Sequence, residues 1–200
     1  GGVVQDEFGF MASFLMPLLG IALVASMTRR EEESGRLETL LSGQIGRSTP
    51  VVGALLLTLA TVVATAVGFA VSMAASGIPA DRAVLYAVSL AMLALVFAAL
   101  AAVLAQVMLH SRGVYAGGLG VVVIAYLLRG VGDVSGSWVV WLSPLGWVEK
   151  SAPFGEPRWW VLVIPLLVTL SLVGVAVALA GRRDLGSALW RGGAGPERAS

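Results

Sequence analysis

A chain of 200 residues with 58% hydrophobic and only 12% charged side chains is not an ordinary soluble domain, in which about a quarter of residues are charged. The 13 basic and 12 acidic residues nearly cancel to a net charge of +1, so no basic field points to nucleic acid. With no cysteine, disulfides and thiolate metal sites are excluded.

The remaining charge is gathered into short clusters between long apolar runs. A bilayer core of roughly 30 Å takes about 20 apolar residues in a helix, and five stretches suit it. The first predicted span runs from about Phe8 to Met27 and contains Pro17. The second, from about Pro50 to Ala75, opens with Thr49 as a cap and a proline at the first helical position. The third runs from about Ala83 to Leu109, after the helix-start signal Ile78-Pro79-Ala80-Asp81. The fourth, Val114 to Leu128, is short and glycine-rich, and the fifth, Trp159 to Ala180, contains Pro165. Both prolines are expected to kink their helices. Runs of this length, apolar all round, do not suit barrel strands, which alternate over about 10 residues. The fold class expected is therefore an all-α integral membrane bundle of about five spans. Residues 1–181 form its transmembrane domain, and 182–200 form a polar, Gly/Pro-containing tail. Both chain ends read as internal to a longer protein.

Arginine placement gives an orientation, since cytoplasmic loops retain Lys and Arg. Arg29, Arg30, Arg36, Arg47, Arg112, Arg182, Arg183, Arg191 and Arg198 fall on one side, and Arg82, Arg129, Lys150 and Arg158 on the other. The nine-residue side is expected to be cytoplasmic. The opposite side carries Trp138, Trp141, Trp147, Trp159 and Trp160, which suit an interface where the ring is buried and the N–H stays wet.

The connection from Thr28 to Gly43 is the most informative segment. Thr28 and Glu31 have capping-box spacing, and the acidic run Glu31-Glu32-Glu33 lies where a helix dipole favours it. Arg29 with Glu33, and Glu32 with Arg36, are i,i+4 pairs worth a few tenths of a kcal/mol each. Leu37, Leu40 and Leu41 make one apolar stripe, and Gly43 can end the helix. Such a helix is either a salt-bridged connector lying in the lipid interface or a docking surface for a cytoplasmic partner. Gly35, costly in a helix interior at about 1 kcal/mol, marks a bend or a close backbone approach and favours the docking reading.

The run Arg30-Glu31-Glu32-Glu33-Ser34-Gly35-Arg36-Leu37-Glu38-Thr39-Leu40-Leu41 resembles the first intracellular loop of ABC exporter permeases of the type-two membrane family. Leu142-Ser143-Pro144-Leu145-Gly146-Trp147, then Pro153-Phe154 and Arg158-Trp159-Trp160, resemble the branch that exports polyketide antibiotics, as does Arg182-Arg183-Asp184-Leu185-Gly186. Gln44-Ile45-Gly46-Arg47 departs from the proline-containing turn usual there. The resemblance covers nearly the whole chain, in order, as spans two to six of a six-span half. It implies that Arg30, Glu31, Glu32, Gly35, Arg36, Leu37, Glu38 and Leu41 couple to a separate ABC ATPase subunit that binds the ATP. It also implies that Trp138, Trp141, Pro144 and Trp147 belong to an outer gate. A second permease half or a second copy would complete the pathway, and the cargo would be a hydrophobic or amphipathic small molecule leaving a bacterial cell.

The segment from Val131 to Arg158 reads independently as short interfacial or re-entrant helices, with a plain aromatic anchor as the alternative. The spans themselves offer no mid-membrane acid or base, hence no proton relay or ion site. Ser72, Ser89 and Gln106 read as helix–helix hydrogen-bonding groups, and Gly113, Ala116, Gly117 and Gly120 as close-packing positions. His110, the sole histidine, suits a helix end rather than a metal. With Lys150 the sole lysine, and on the outer side, no phosphate-binding loop is possible, so no catalytic residue, cofactor or metal is expected on this chain. The competing readings are a membrane scaffold or regulator, a secondary carrier, and an intramembrane enzyme. The last would need a serine–histidine pair, paired aspartates or a metal cluster at membrane depth.

Overall fold

The computed structural model describes residues 2–28 and 48–182, with side chains described from residue 11 onward. Every regular element among them is helical: α1 Gly2–Met27, α2 Thr49–Ala75, α3 Ala80–Val107, α4 Ser111–Ser135, α5 Pro144–Lys150 and α6 Val163–Arg182. Two 3₁₀ turns, Trp138–Leu142 and Trp159–Leu162, precede α5 and α6. Four stretches among the described residues are long and apolar enough to cross a membrane: Thr49–Ala75, Ala80–Val107, Ser111–Ser135 and Trp159–Arg182. The expected first span lies in α1, whose apolar part with described side chains, Met11–Met27, is shorter. The chain is a multi-pass membrane protein.

The helix boundaries follow from local chemistry. Ser48 is the N-cap of α2, one residue before the Thr49 expected from the sequence, and Pro50 falls in the first turn, where its missing N–H costs nothing. Pro79 caps α3, with Asp81 in the first turn where the dipole favours an acid. Extended backbone at Met108 (ψ 144°) ends α3 before the expected Leu109. Helix α4 departs most from the sequence reading. It continues past Leu128 through Arg129 and Asp133 to Ser135, because a charged pair at a helix end can leave the hydrocarbon by snorkelling. Gly136, in the left-handed region at φ 59°, then closes it, and Ser137 N–H donates back to the Gly132 carbonyl.

Of the two expected proline kinks, only Pro17 lies in a helix interior. Pro165 falls in the first turn of α6, since the span begins with a 3₁₀ turn and its α-helix starts only at Val163. No backbone donor is lost there, so no kink is required.

Helix α3 is the axis of the bundle. In its most apolar stretch 61% of residues are buried, against 17% in α2, 22% in α4 and 17% in the last span. Helices α1, α2 and α6 pack on it most extensively, with α4 beside them. Its buried face is mostly alanine (Ala83, Ala87, Ala94, Ala98, Ala101, Ala102 and Ala105), with Leu90, Leu93 and Phe97 between. In lipid, apolar contact earns nothing over the tails, and close backbone approach supplies the packing energy. Gly20 of α1 makes the closest such approach: a methyl group there would strike the Ala94 carbonyl oxygen and lie 3.0 Å from the Ala98 nitrogen. Gly118 of α4 is seated on Ile21, and Gly117 on Leu104, whereas Gly120 faces open space. The close packing expected around residues 113–120 is therefore real at Gly117 and Gly118 but absent at Gly120.

Two of the polar side chains expected to join helices bond within their own helix. Gln106 Nε2 donates to the Ala102 carbonyl, and Ser89 Oγ to that of Leu85. Ser72 is exposed rather than facing a neighbouring helix. One pocket between α1, α2 and α3, lined by Met16, Val62, Thr65, Phe69 and Leu90 among others, has room of only ≈ 10 Å³. That is about the room of one water.

Candidate functional site at the tryptophan-rich end

The sequence places two candidate regions on the chain. The first, Arg30, Glu31, Glu32, Gly35, Arg36, Leu37, Glu38 and Leu41, lies outside the described residues. The second, Trp138, Trp141, Pro144 and Trp147, is described in full.

Between α4 and α6 the chain folds back over the bundle end where α2 passes into α3. Trp138–Leu142 forms a 3₁₀ turn, Ser143 is extended, and Pro144 opens α5 at a position where a proline is preorganised. The short helices expected here are present. Ser143 is fully buried and its Oγ donates to the Ala125 carbonyl of α4 at 2.7 Å. At the other end of α5, buried Ser151 pairs with Ser89 of α3, Oγ to Oγ at 3.0 Å. Ser89 thus contacts the cap rather than another span. Beyond α5, Arg82 Nη1 donates to the Phe154 carbonyl at 3.4 Å, and the Phe154 ring tilts against Tyr86 with centroids 5.2 Å apart. The cap is therefore pinned to both α3 and α4.

The four gate candidates divide. Trp147 is buried at 8% exposure, between Val96 of α3 and Val161 at the entry to α6. Its indole Nε1 donates to the Trp141 carbonyl at 2.7 Å, meeting the hydrogen-bond demand of a buried indole. Trp141 is half-buried and stacks on Trp160, centroids 5.7 Å apart with planes at 21°. Trp138, by contrast, is 69% exposed and stands apart. Trp141 and Trp147 form one unit with Pro144 beside it, while Trp138, Trp159 and Trp160 suit the interfacial role expected of tryptophan.

Val140 is the pivot of this packing. A methyl group added to Gly132 would come within 2.7 Å of its Cα and Cβ, and one added to Gly146 within 2.8 Å of its Cγ2. The two glycines let α4 and α5 close on the turn from either side.

The sequence reading did not single out the charges at this end. Arg129 Nε lies 3.4 Å from Asp133 Oδ2 on the same helix, and Arg129 Nη2 lies 3.2 Å from Glu149 Oε2 on α5. The i,i+4 spacing of Arg129 and Asp133 was a usable signal, but the link to Glu149 depends on the chain reversal at Gly136. A shallow groove of ≈ 340 Å³ runs beside them, lined by Asp133, Ser137, Trp138, Trp141, Glu149 and Lys150. Among the described residues no three His, Asp or Glu side chains could hold a metal. His110 is the extended N-cap of α4, its carbonyl accepting from the Gly113 N–H.

Comparison with known proteins bears on the whole of this arrangement. Residues 1–182 match the family described as multidrug efflux system permease Rv1217c, C-terminal domain. The chain is 35% identical over 196 residues to the multidrug efflux system permease protein Rv1217c of Mycobacterium tuberculosis. That match takes in 94% of this chain and 36% of the relative, so the chain spans about a third of the relative's length.

Proposed function

The chain belongs to the family of the multidrug efflux permease C-terminal domain, an ABC-type exporter permease family, and from that premise we propose that it is the membrane-spanning part of an ATP-driven exporter. It moves hydrophobic or amphipathic small molecules, of the antibiotic or drug type, out across the bacterial plasma membrane. The observation that carries the reading is the folded cap: a segment too polar to cross the membrane is pinned to the spans at one end of the bundle, with Trp147 buried against Val96 and Val161. In this reading Trp141, Pro144 and Trp147 form the outer gate, with Trp138 at its rim.

The energy comes from a separate ABC ATPase subunit. Its closure pushes on the connection between Thr28 and Ser48, where Arg30, Glu31, Glu32, Gly35, Arg36, Leu37, Glu38 and Leu41 form the contact, and that push tilts α1 and α2. The broad exposed apolar faces of α2 and α4, turned to a partner or to lipid, support a pathway formed against a second permease half or a second copy. The test is export of a hydrophobic dye from cells producing the full-length permease with its ATPase. Glu31→Ala and Glu38→Ala are each expected to leave membrane levels unchanged and to lower export several-fold. Wild-type export from both variants counts decisively against the coupling role.

A further inference from the structure

The cap meets the spans mostly through buried or part-buried contacts. Ser143 and Ser151 hydrogen-bond to α4 and α3, Trp147 packs against Val96 with its indole bonded inside the cap, and Arg82 donates to the Phe154 carbonyl. The Arg129–Glu149 contact is different, being charged and partly exposed, with side-chain exposures of 26% and 45%. It is also the ion pair that joins the cap to a span among the described residues. Arg129 sits in the last two turns of α4, and Asp133, one turn further on, holds its guanidinium from the same helix. Asp133 thus orients Arg129 without spanning anything, and Glu149 is the partner that would move with the cap.

We propose that Arg129 is a positioning residue, and that its ion pair with Glu149 is a breakable fastening that keeps α5 seated on α4 while the gate is closed. The proposal rests on the exporter reading for its purpose, though the fastening itself can be observed without transport. A partly exposed charge pair suits the task because its contribution is small: breaking it shifts an opening equilibrium by a factor of about two to five. A buried pair would cost too much to open repeatedly. Opening leaves both charges at the polar end of the bundle, where water can reach them. Lys150, the next residue after Glu149, cannot substitute for Arg129, since it lies on α5 itself and would travel with the cap.

The test uses the lack of native cysteine. Val140 is 3% exposed in the first turn of the cap, closed in by Gly132 of α4 and Gly146 of α5, so a Val140→Cys variant of the full-length permease reports loosening of the cap from α4 through its rate of reaction with a membrane-impermeant maleimide on intact cells. In that background Arg129→Gln and Glu149→Gln are each expected to speed labelling about two- to fivefold. The exchange of both, Arg129→Glu with Glu149→Arg, is expected to restore the slow rate, because the new arginine then faces two acids on α4. Asp133→Asn is expected to have the smaller effect. The proposal is overturned if Glu149→Gln leaves the rate unchanged, or if the exchanged pair labels as fast as the single variants. Faster labelling with unchanged dye export keeps the fastening and removes the gate; unchanged labelling with altered export removes the fastening.

Discussion

Replacing Gly146 by alanine tests whether the packing around Val140 holds the cap. The new methyl group would lie 2.8 Å from Val140 Cγ2 and 3.2 Å from its carbonyl carbon, and nearer still to its carbonyl oxygen. Comfortable carbon–carbon contact begins at about 3.5 Å, and the obstacle includes backbone, which cannot rotate aside. Overpacking of this kind costs about 1–3 kcal/mol, against about 1 kcal/mol gained when alanine replaces glycine in a helix. The net expected loss is therefore ~0–2 kcal/mol, and ~1–3 kcal/mol relative to a glycine-to-alanine change that takes the helix gain without the clash. The assay is thermal unfolding of the detergent-solubilised full-length permease, followed by tryptophan fluorescence, which reports on the cap through Trp141 and Trp147. Gly120→Ala is the control. It makes the same chemical change within α4, but no atom outside its own helix lies within 4 Å of the added carbon. It should unfold at the wild-type midpoint or above. Trimming the neighbour with Val140→Ala should not rescue Gly146→Ala, because the carbonyl oxygen remains in place. Equal midpoints for Gly146→Ala and Gly120→Ala would refute the reasoning.

Gly20→Ala should separate α1 from α3 and lower the yield of folded protein, seen as loss of the monodisperse peak on size exclusion, since its methyl group meets the Ala94 backbone. Ala152 holds a left-handed backbone at φ 47° in the turn after α5. Valine there should destabilise the cap by about 1 kcal/mol or more, while glycine should be neutral or better, with thermal midpoints ranking Gly, Ala, Val. Orientation is checked by thiol labelling. Ser137→Cys should react only from outside the cell and Ser34→Cys only from the cytoplasm, and the reverse pattern would invert the topology.

Most of the spans were legible in the sequence because they stay apolar all round for about 20 residues, enough to cross a bilayer core. Their ends were less so. Leu128 looked like the end of α4 because Arg129 and Asp133 follow, yet a helix at the membrane surface keeps its hydrogen bonds while long side chains reach for water. Pro165 looked like a kink because a sequence does not mark where 3₁₀ geometry passes into α. The Trp-rich segment announced itself by composition, but the division of labour within it did not. Trp147 is buried and Trp138 exposed because the chain reverses at Gly136, and that turn decides which indole faces α3. The link from Arg129 to Glu149 was hidden for the same reason: two residues 20 positions apart meet only once the reversal is made.

The central place of α3 also has a bearing on biosynthesis. When α3 leaves the ribosome, α1 and α2 have already been made and can cover two of its alanine-rich sides at once. The α6 side has no partner until synthesis has passed from Val107 to Val163, an interval of several seconds at ~5–20 residues per second. During that interval a thin surface shaped for another helix faces only lipid or the insertion machinery. A nascent chain stalled within the cap would therefore carry its best-packed helix half covered, and such a chain is a natural target for membrane quality control.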